Sequence, residues 1–344
     1  MKDSTRFGIT RRQMVTASLT APALLHTGAA RAKTVLKLSH QAPGGTIDQG
    51  DIRDRIALRF AKELVGRSNG EIEVQNYPGS SLMKPNAQWP ALRRGALDLS
   101  LFPVSSAAGE IPELNIGLMP GIVSSYDEAY GWKGKPVGNE LTQVIEKAGV
   151  VIVSWLWLAG GAVSRTVPFV TPVNAKGLKI RGGSREMDLV LKAAGATPLS
   201  LPSTELYQAM QTGACDACIT SSTSIDSFRL VETAKQLTLG KRSYWFIFGP
   251  LLMSKSIFDA LPQAQRDLIM KVGAELEPFG RKGALEADAQ VISSFSKAGA
   301  TVHDLDTAAI GQWRELARDT AWKDYAGKSA GCAKMLELAM KAMS

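Results

Sequence analysis

Histidine and cysteine are scarce in this sequence, with three of each in 344 residues. Three cysteines exclude a disulfide-stapled scaffold. Three histidines, one of them His26 near the start, leave little for a histidine-based metal site or a Ser-His-Asp triad. Beyond residue 33 no apolar run reaches the roughly 18 residues that mark a membrane-crossing helix, so direct membrane insertion is not expected. Nor is there a Lys/Arg block, although the net charge is +8. Five basic groups and one acid lie in the first 32 residues, leaving +4 for the rest. That distribution speaks against a nucleic-acid partner. No G-x-G-x-x-G or Walker A pattern is present, which removes motif support for dinucleotide and nucleoside-triphosphate chemistry.

What is present begins with an export address. Thr10-Arg11-Arg12-Gln13 precedes a mild apolar stretch at 14–25, and Ala30-Arg31-Ala32 has the A-x-A form of a cleavage site. Residues 1–32 therefore read as a Tat-type signal peptide, and the rest as a periplasmic protein. The whole chain is 45% hydrophobic and 21% charged, the balance of a folded protein of about two domains.

Strand and helix patterns alternate along it. Residues 35–39 alternate as a strand, and Ile52, Ile56, Phe60 and Leu64 form one helical stripe. Ile72 and Val74 alternate with polar neighbours, a helix ends at Gly95, and another strand follows at 96–101. The run 150–158 (Val-Val-Ile-Val-Ser-Trp-Leu-Trp-Leu) has strand composition throughout. A second β-α-β-α-β block then follows, with strands at 177–181, 197–201 and 214–220 and helices ended by Gly195 and Gly213. Residues 262–296 read as one long helix. The pattern is that of an α/β protein with two lobes.

Cys215-Asp216-Ala217-Cys218 is a formal C-x-x-C, the pattern of a thiol oxidoreductase or half a zinc site. Strand alternation would send the two thiols to opposite faces, and no second ligand pair follows. Buried small hydrophobes are the preferred reading.

Four stretches, in order, carry a resemblance. Ile72-Glu73-Val74-Gln75-Asn76-Tyr77-Pro78-Gly79 is a strand with its turn, and residues 91–99 (Ala-Leu-Arg-Arg-Gly-Ala-Leu-Asp-Leu) are a helix end and strand. Gly177-Leu178-Lys179-Ile180-Arg181 is a strand closing on arginine. Glu205-Leu206-Tyr207-Gln208-Ala209-Met210-Gln211-Thr212-Gly213 runs on to Asp216. The chain resembles the solute-binding proteins of TRAP (tripartite ATP-independent periplasmic) transporters, in the dicarboxylate-binding-protein family. An ABC-importer binding component shares such lobes but not this spacing around Arg181.

The resemblance implies a two-lobed α/β periplasmic binding protein with a hinge, a long helix spanning both lobes, and no catalysis. It implies lobe I at 33–157 and 246–287 and lobe II at 158–245 and 288–344. It also implies a small organic acid as ligand, a TRAP permease as partner, and Arg181 as the clamp on the ligand carboxylate. Arg181 closes its strand, where open α/β sheets place ligands, and a planar fork suits a carboxylate. No cofactor is implied, and a helper metal is left open. Departures shape the rest of the pocket. Thr220 replaces an asparagine that often touches ligand, and Phe102 stands where sugar-acid binders carry glutamate. Gly160-Gly161-Ala162 stand where those binders carry a second arginine. With Trp157 and Trp245 at the crossovers, the expected contacts are Arg181, Thr220, Trp157, Trp245, Phe102 and Gln41. One cation beside apolar walls favours a monocarboxylate, a 2-oxo or 2-hydroxy acid with an aliphatic or aromatic tail, over a C4-dicarboxylate or sugar acid.

The export reading has a direct check. Changing Arg11 and Arg12 together to lysine is expected to block translocation, and normal periplasmic accumulation of that variant in a cell-fractionation assay would refute it.

Overall fold

Each α/β block places its apolar residues where a sheet and a helix can share them. The computed structural model describes residues 33–343, and the export segment read at 1–32 lies outside them. The chain runs β1 (Thr34–His40), α1 (Ile52–Arg67), β2 (Ile72–Tyr77), α2 (Pro85–Arg93) and β3 (Leu99–Leu101). Helices α3 (Tyr126–Tyr130) and α4 (Pro136–Lys147) lead to β4 (Val150–Ser154) and β5 (Trp157–Ser164). The second block comprises β6 (Lys179–Arg181), α5 (Arg185–Ala193), β7 (Thr197–Leu199), α6 (Leu206–Thr212), β8 (Ala217–Ser221), α7 (Ser222–Ser227) and β9 (Gln236–Thr238). It is followed by β10 (Phe246–Phe248), β11 (Leu251–Ser254), α8 (Lys255–Ala260), α9 (Gln263–Lys297) and β12 (Thr301–His303). Helices α10 (Thr307–Ala317), α11 (Lys323–Lys328) and α12 (Ala330–Ala342) complete it.

Two sheets result. The first has the order β2-β1-β3-β11-β4, with β1 parallel to β2 and β3, and β11 antiparallel to both its neighbours. The second runs β12-β9-β5-β8-β6-β7, with β6 parallel to β7 and β8. Helix α1 shows why such elements form. Ile52, Ile56, Phe60 and Leu64 are buried along one stripe, and Asp51 caps the N-terminus by accepting the Arg53 backbone N–H.

The expected single strand at 150–158 is two strands in two sheets. β4 ends at Ser154, Trp155 and Leu156 cross over, and β5 begins at Trp157. Because the crossover itself is buried, the apolar run continues unbroken through the change of sheet. β5 then exchanges partners along its length: Trp157–Ala159 pair with β10, whereas Gly160–Ser164 pair with β8. The return chain through β10 to β11 runs alongside, so two adjacent extended segments form the hinge between the lobes.

Helix α9 lies against α1 and β4 of one lobe and α7, β5 and β12 of the other. At 35 residues it is about 50 Å long. The last helix departs from the expected grouping of 288–344 with lobe II. α10 packs on α5, but α12 packs on α4 in lobe I, where Lys334 pairs with Glu140 and Lys135 Nζ donates to the Ala342 carbonyl at 3.3 Å. Helix α12 thus straps the C-terminus across to lobe I.

The glycines of α9 include a point of close approach. A Cβ on Gly273 would overlap the Val153 carbonyl oxygen of β4, and backbone cannot swing aside as a side chain can. Gly311 in α10 has open space at the same position. In a free helix position Gly→Ala stabilises by about 1 kcal/mol. Gly311→Ala is expected to do so, whereas Gly273→Ala is expected to destabilise by about 1–3 kcal/mol through overpacking. Urea unfolding of the two variants measures both signs.

Candidate functional site

A cavity of about 680 Å³ opens where the carboxyl ends of the parallel strands of both sheets face each other. Gln41 and Phe102 line it beyond β1 and β3, Arg181 and Thr220 from the ends of β6 and β8, and Trp245 from the hinge. Those are five of the six expected residues. Trp157 is not among the lining residues. Its ring is packed between Trp132, at 5.2 Å and nearly perpendicular, and Phe248 at 4.8 Å. The other hinge aromatics are spent similarly. Trp155 lies on Phe248, Tyr244 stacks on Trp313, and Phe246 meets Tyr126 edge-on.

Arg181 is held by neutral oxygens. Its Nε donates to the Leu201 carbonyl at 3.1 Å, Nη1 to the Ile219 carbonyl at 2.9 Å, and Nη2 to Ser203 Oγ at 3.2 Å. Three of five N–H donors are thereby used and the plane of the fork is fixed. Among the described residues no carboxylate forms an ion pair with it, and burial works against its charge. Gly183 makes room for this arrangement. It has φ +93, closed to most side chains, and a Cβ there would lie 2.7 Å from Arg181 Nη1.

Asp188 on α5 is the nearest compensating charge of note. Burial pushes its carboxyl up to about 6, with the Arg181 charge opposing and the Glu186 charge adding. Asp188 Oδ1 is buried with no hydrogen-bond partner. At the hinge, Trp245 lies flat over Gly160, which leaves no room for a Cβ there, and its Nε1 is also buried and unpartnered. The Thr220 side chain is 3% exposed.

Sequence reasoning missed Arg53 and Lys84, both of which line the cavity. Lys84 is exposed at the start of α2. Arg53 is 6% exposed, with Nε and Nη2 bonded to the two Asp51 carboxylate oxygens at 2.9 and 2.6 Å. A usable signal existed. A helix that follows a parallel strand starts at the sheet's carboxyl edge, so the first turn of α1, marked by its Asp51 cap, had to face the cleft. A single cation in the pocket is therefore corrected to three cationic side chains.

The thiol chemistry does not survive. Cys215, Cys218 and Cys332 are free and buried. β8 begins at Ala217, so Cys215 precedes the strand, and both thiols enter one apolar cluster with Val163, Leu206 and Phe295 instead of opposite faces. Burial raises the pKa of both, that of Cys218 beyond any reactive range. No group of three potential metal ligands occurs among the described residues.

Residues 44–328 match the model of the bacterial extracellular solute-binding proteins, family 7. The chain belongs to that family. A solute-binding protein of Albidiferax ferrireducens is 58% identical over 90% of this chain and 92% of its own length. A solved TRAP periplasmic solute-binding protein from Rhodoferax ferrireducens, also 58% identical, superposes with a TM-score of 0.88 over 90% of this chain and 98% of its own. That protein holds malonate. The C4-dicarboxylate-binding periplasmic protein of Rhodobacter capsulatus is 26% identical over 82% of this chain and 84% of its own. The two-lobed fold, the periplasmic location and the receptor role without catalysis follow from this membership. No helix among the described residues is long and apolar enough to cross a membrane.

Asp188 gives the site a pH signature. Its folded pKa stands above the ordinary carboxylate value, so the folded protein takes up a proton as the pH falls through about 6. The negative charge beside Arg181 then disappears, and anion binding should tighten. Asp188→Asn is expected to bind an acid that stays ionised throughout about threefold or more tightly at neutral pH, and to flatten the dependence below it. Calorimetry across that range checks both, and a slope equal to that of the unmutated chain would refute the assignment.

Proposed function

We propose that this receptor takes the carboxylate of a small organic acid on Arg181 and presents the closed complex to a TRAP permease. The observation carrying the proposal is a buried guanidinium whose bonds within the protein all go to uncharged oxygens. A charge removed from water without a counter-ion is costly, and a ligand carboxylate supplies the missing partner through charge-assisted bonds to the two unspent donors. Backbone carbonyls hold the fork in place before the ligand arrives, so little ordering is left to the binding step.

The tail-bearing monocarboxylate expected from the sequence rested on a pocket with one cation. Arg53 and Lys84 remove that premise, while Phe102, Leu101, Leu158 and Trp245 keep one wall apolar. The relative holding malonate supports a short acid. Malonate accordingly leads the panel of acids to be tested, with 2-oxo and 2-hydroxy acids and uronates beside it.

Arg181→Ala should lower affinity for the best acid of the panel by about thirtyfold to several thousandfold. The unliganded variant should melt much as the unmutated chain does, because an uncompensated buried charge leaves with the side chain. Calorimetry and a thermal-shift series read the two quantities, and unchanged affinity would overturn the clamp.

A further inference from the structure

Arg53 is more than an N-terminal residue of α1. Its Nε and Nη2 are tied to Asp51, and Nη2 also reaches across to Ser224 Oγ at 3.3 Å. Asp51 in turn accepts from Ser227 Oγ at 2.6 Å. Ser224 and Ser227 lie on α7, which follows β8 of lobe II, while Asp51 and Arg53 begin α1 of lobe I. The pair therefore straddles the cleft. Nη1 of Arg53 has no hydrogen-bond partner within the protein among the described residues, although the side chain is 6% exposed and lines the cavity. Two guanidinium groups thus face one cavity from opposite lobes, each immobilised and each with donors unspent.

We propose that Arg53 is the specificity-determining residue for a second oxyanion, so that the site takes a short dicarboxylate bridged between Arg181 of one lobe and Arg53 of the other. The inference rests on Arg181 as the clamp for the first carboxylate. Asp51 plays two parts. Its bidentate grip fixes the plane of the Arg53 fork, and its charge offsets that of Arg53, so the residue selects by donor geometry as well as by field. Arg53 is itself bonded to Ser224 of α7. Recognition of the second charge and approach of the lobes are accordingly one event. A purely structural clasp would not require an unpartnered Nη1 on a residue that lines the cavity.

Malonate and malonamate, its monoamide, separate the second charge from shape. Calorimetry of the full chain gives the ratio of the two affinities. The unmutated chain should favour malonate by about tenfold or more, and Arg53→Gln should reduce the preference to within about threefold. Asp51→Asn, which keeps a good capping residue but removes the offsetting charge, should widen it. Equal losses of both probes in R53Q would make Arg53 a structural clasp and overturn the proposal, as would a ratio near one in the unmutated chain. If R53Q loses its folded circular-dichroism signal, D51N decides alone: a widened ratio supports the proposal, and an unchanged or narrowed one overturns it. Failure of the Arg181 clamp has a different signature, since it is read with whichever acid binds best in the panel.

Discussion

A positive charge buried among neutral oxygens organises this molecule. Arg181 ends β6, where the sheet stops and the cleft begins, and two carbonyls and a serine hold it there. The loops around it are shaped to that requirement. Leu201 and Ser203 come from the turn after β7, Ile219 from the neighbouring β8, and Gly183 leaves the space the fork occupies. Replacing any of those oxygens with a carboxylate would neutralise the arginine and remove the ground on which its anion binding is proposed. Asp188, whose charge acts on Arg181, is raised to about 6 by its burial and loses that charge as the pH falls through this value. A site of this kind is incomplete without an acid.

The second constraint is mechanical. Two lobes that share one cavity cannot be joined by a soft linker, because the cavity walls come from both. β5 meets this by pairing with β10 in one half and with β8 in the other, so the connection is hydrogen-bonded along its length. Large aromatics fill the space around it: Trp155, Trp157, Phe248 and Trp132 form one packed group, and Tyr244, Trp313 and Phe169 another. Interiors packed this way resist gradual deformation, which favours motion about two short segments. Helix α9 contacts both sides of the joint, and α12 carries the chain from α11 onto α4.

Much of this was legible in the residues. The helical stripe of α1, the glycine stops at Gly195 and Gly213 and the long helix follow from periodicity and turn chemistry, which are local. Arg181, Thr220, Phe102, Gln41 and Trp245 reach the cavity because strand ends and crossovers are where chain order forces a cleft. Trp157 was misplaced because an aromatic at a crossover can face the cavity or the core, and only packing against Trp132 and Phe248 decides. Arg53 was missed for another reason. Apolar spacing describes the buried stripe of a helix and is silent about which polar residue of its first turn points across a gap. The paired thiols misled in the opposite sense, since a C-x-x-C says nothing of burial.

The weakness of the cross-cleft contacts is itself informative. Arg53 and Asp51 meet lobe II through two serine hydroxyls, Ser224 and Ser227. A hydrogen bond nets about 0.5–1.5 kcal/mol, and somewhat more when one partner is charged. Two of them bias the lobes together by a few kcal/mol at most, which ordering of the side chains partly offsets. A carboxylate at position 224 would make a buried cross-cleft ion pair with Arg53, and breaking such a pair costs about 3–5 kcal/mol. A receptor so built would close without ligand and release it slowly. With hydroxyls, the proposed acid would supply the strongest interactions across the cleft, and closure would follow its occupancy.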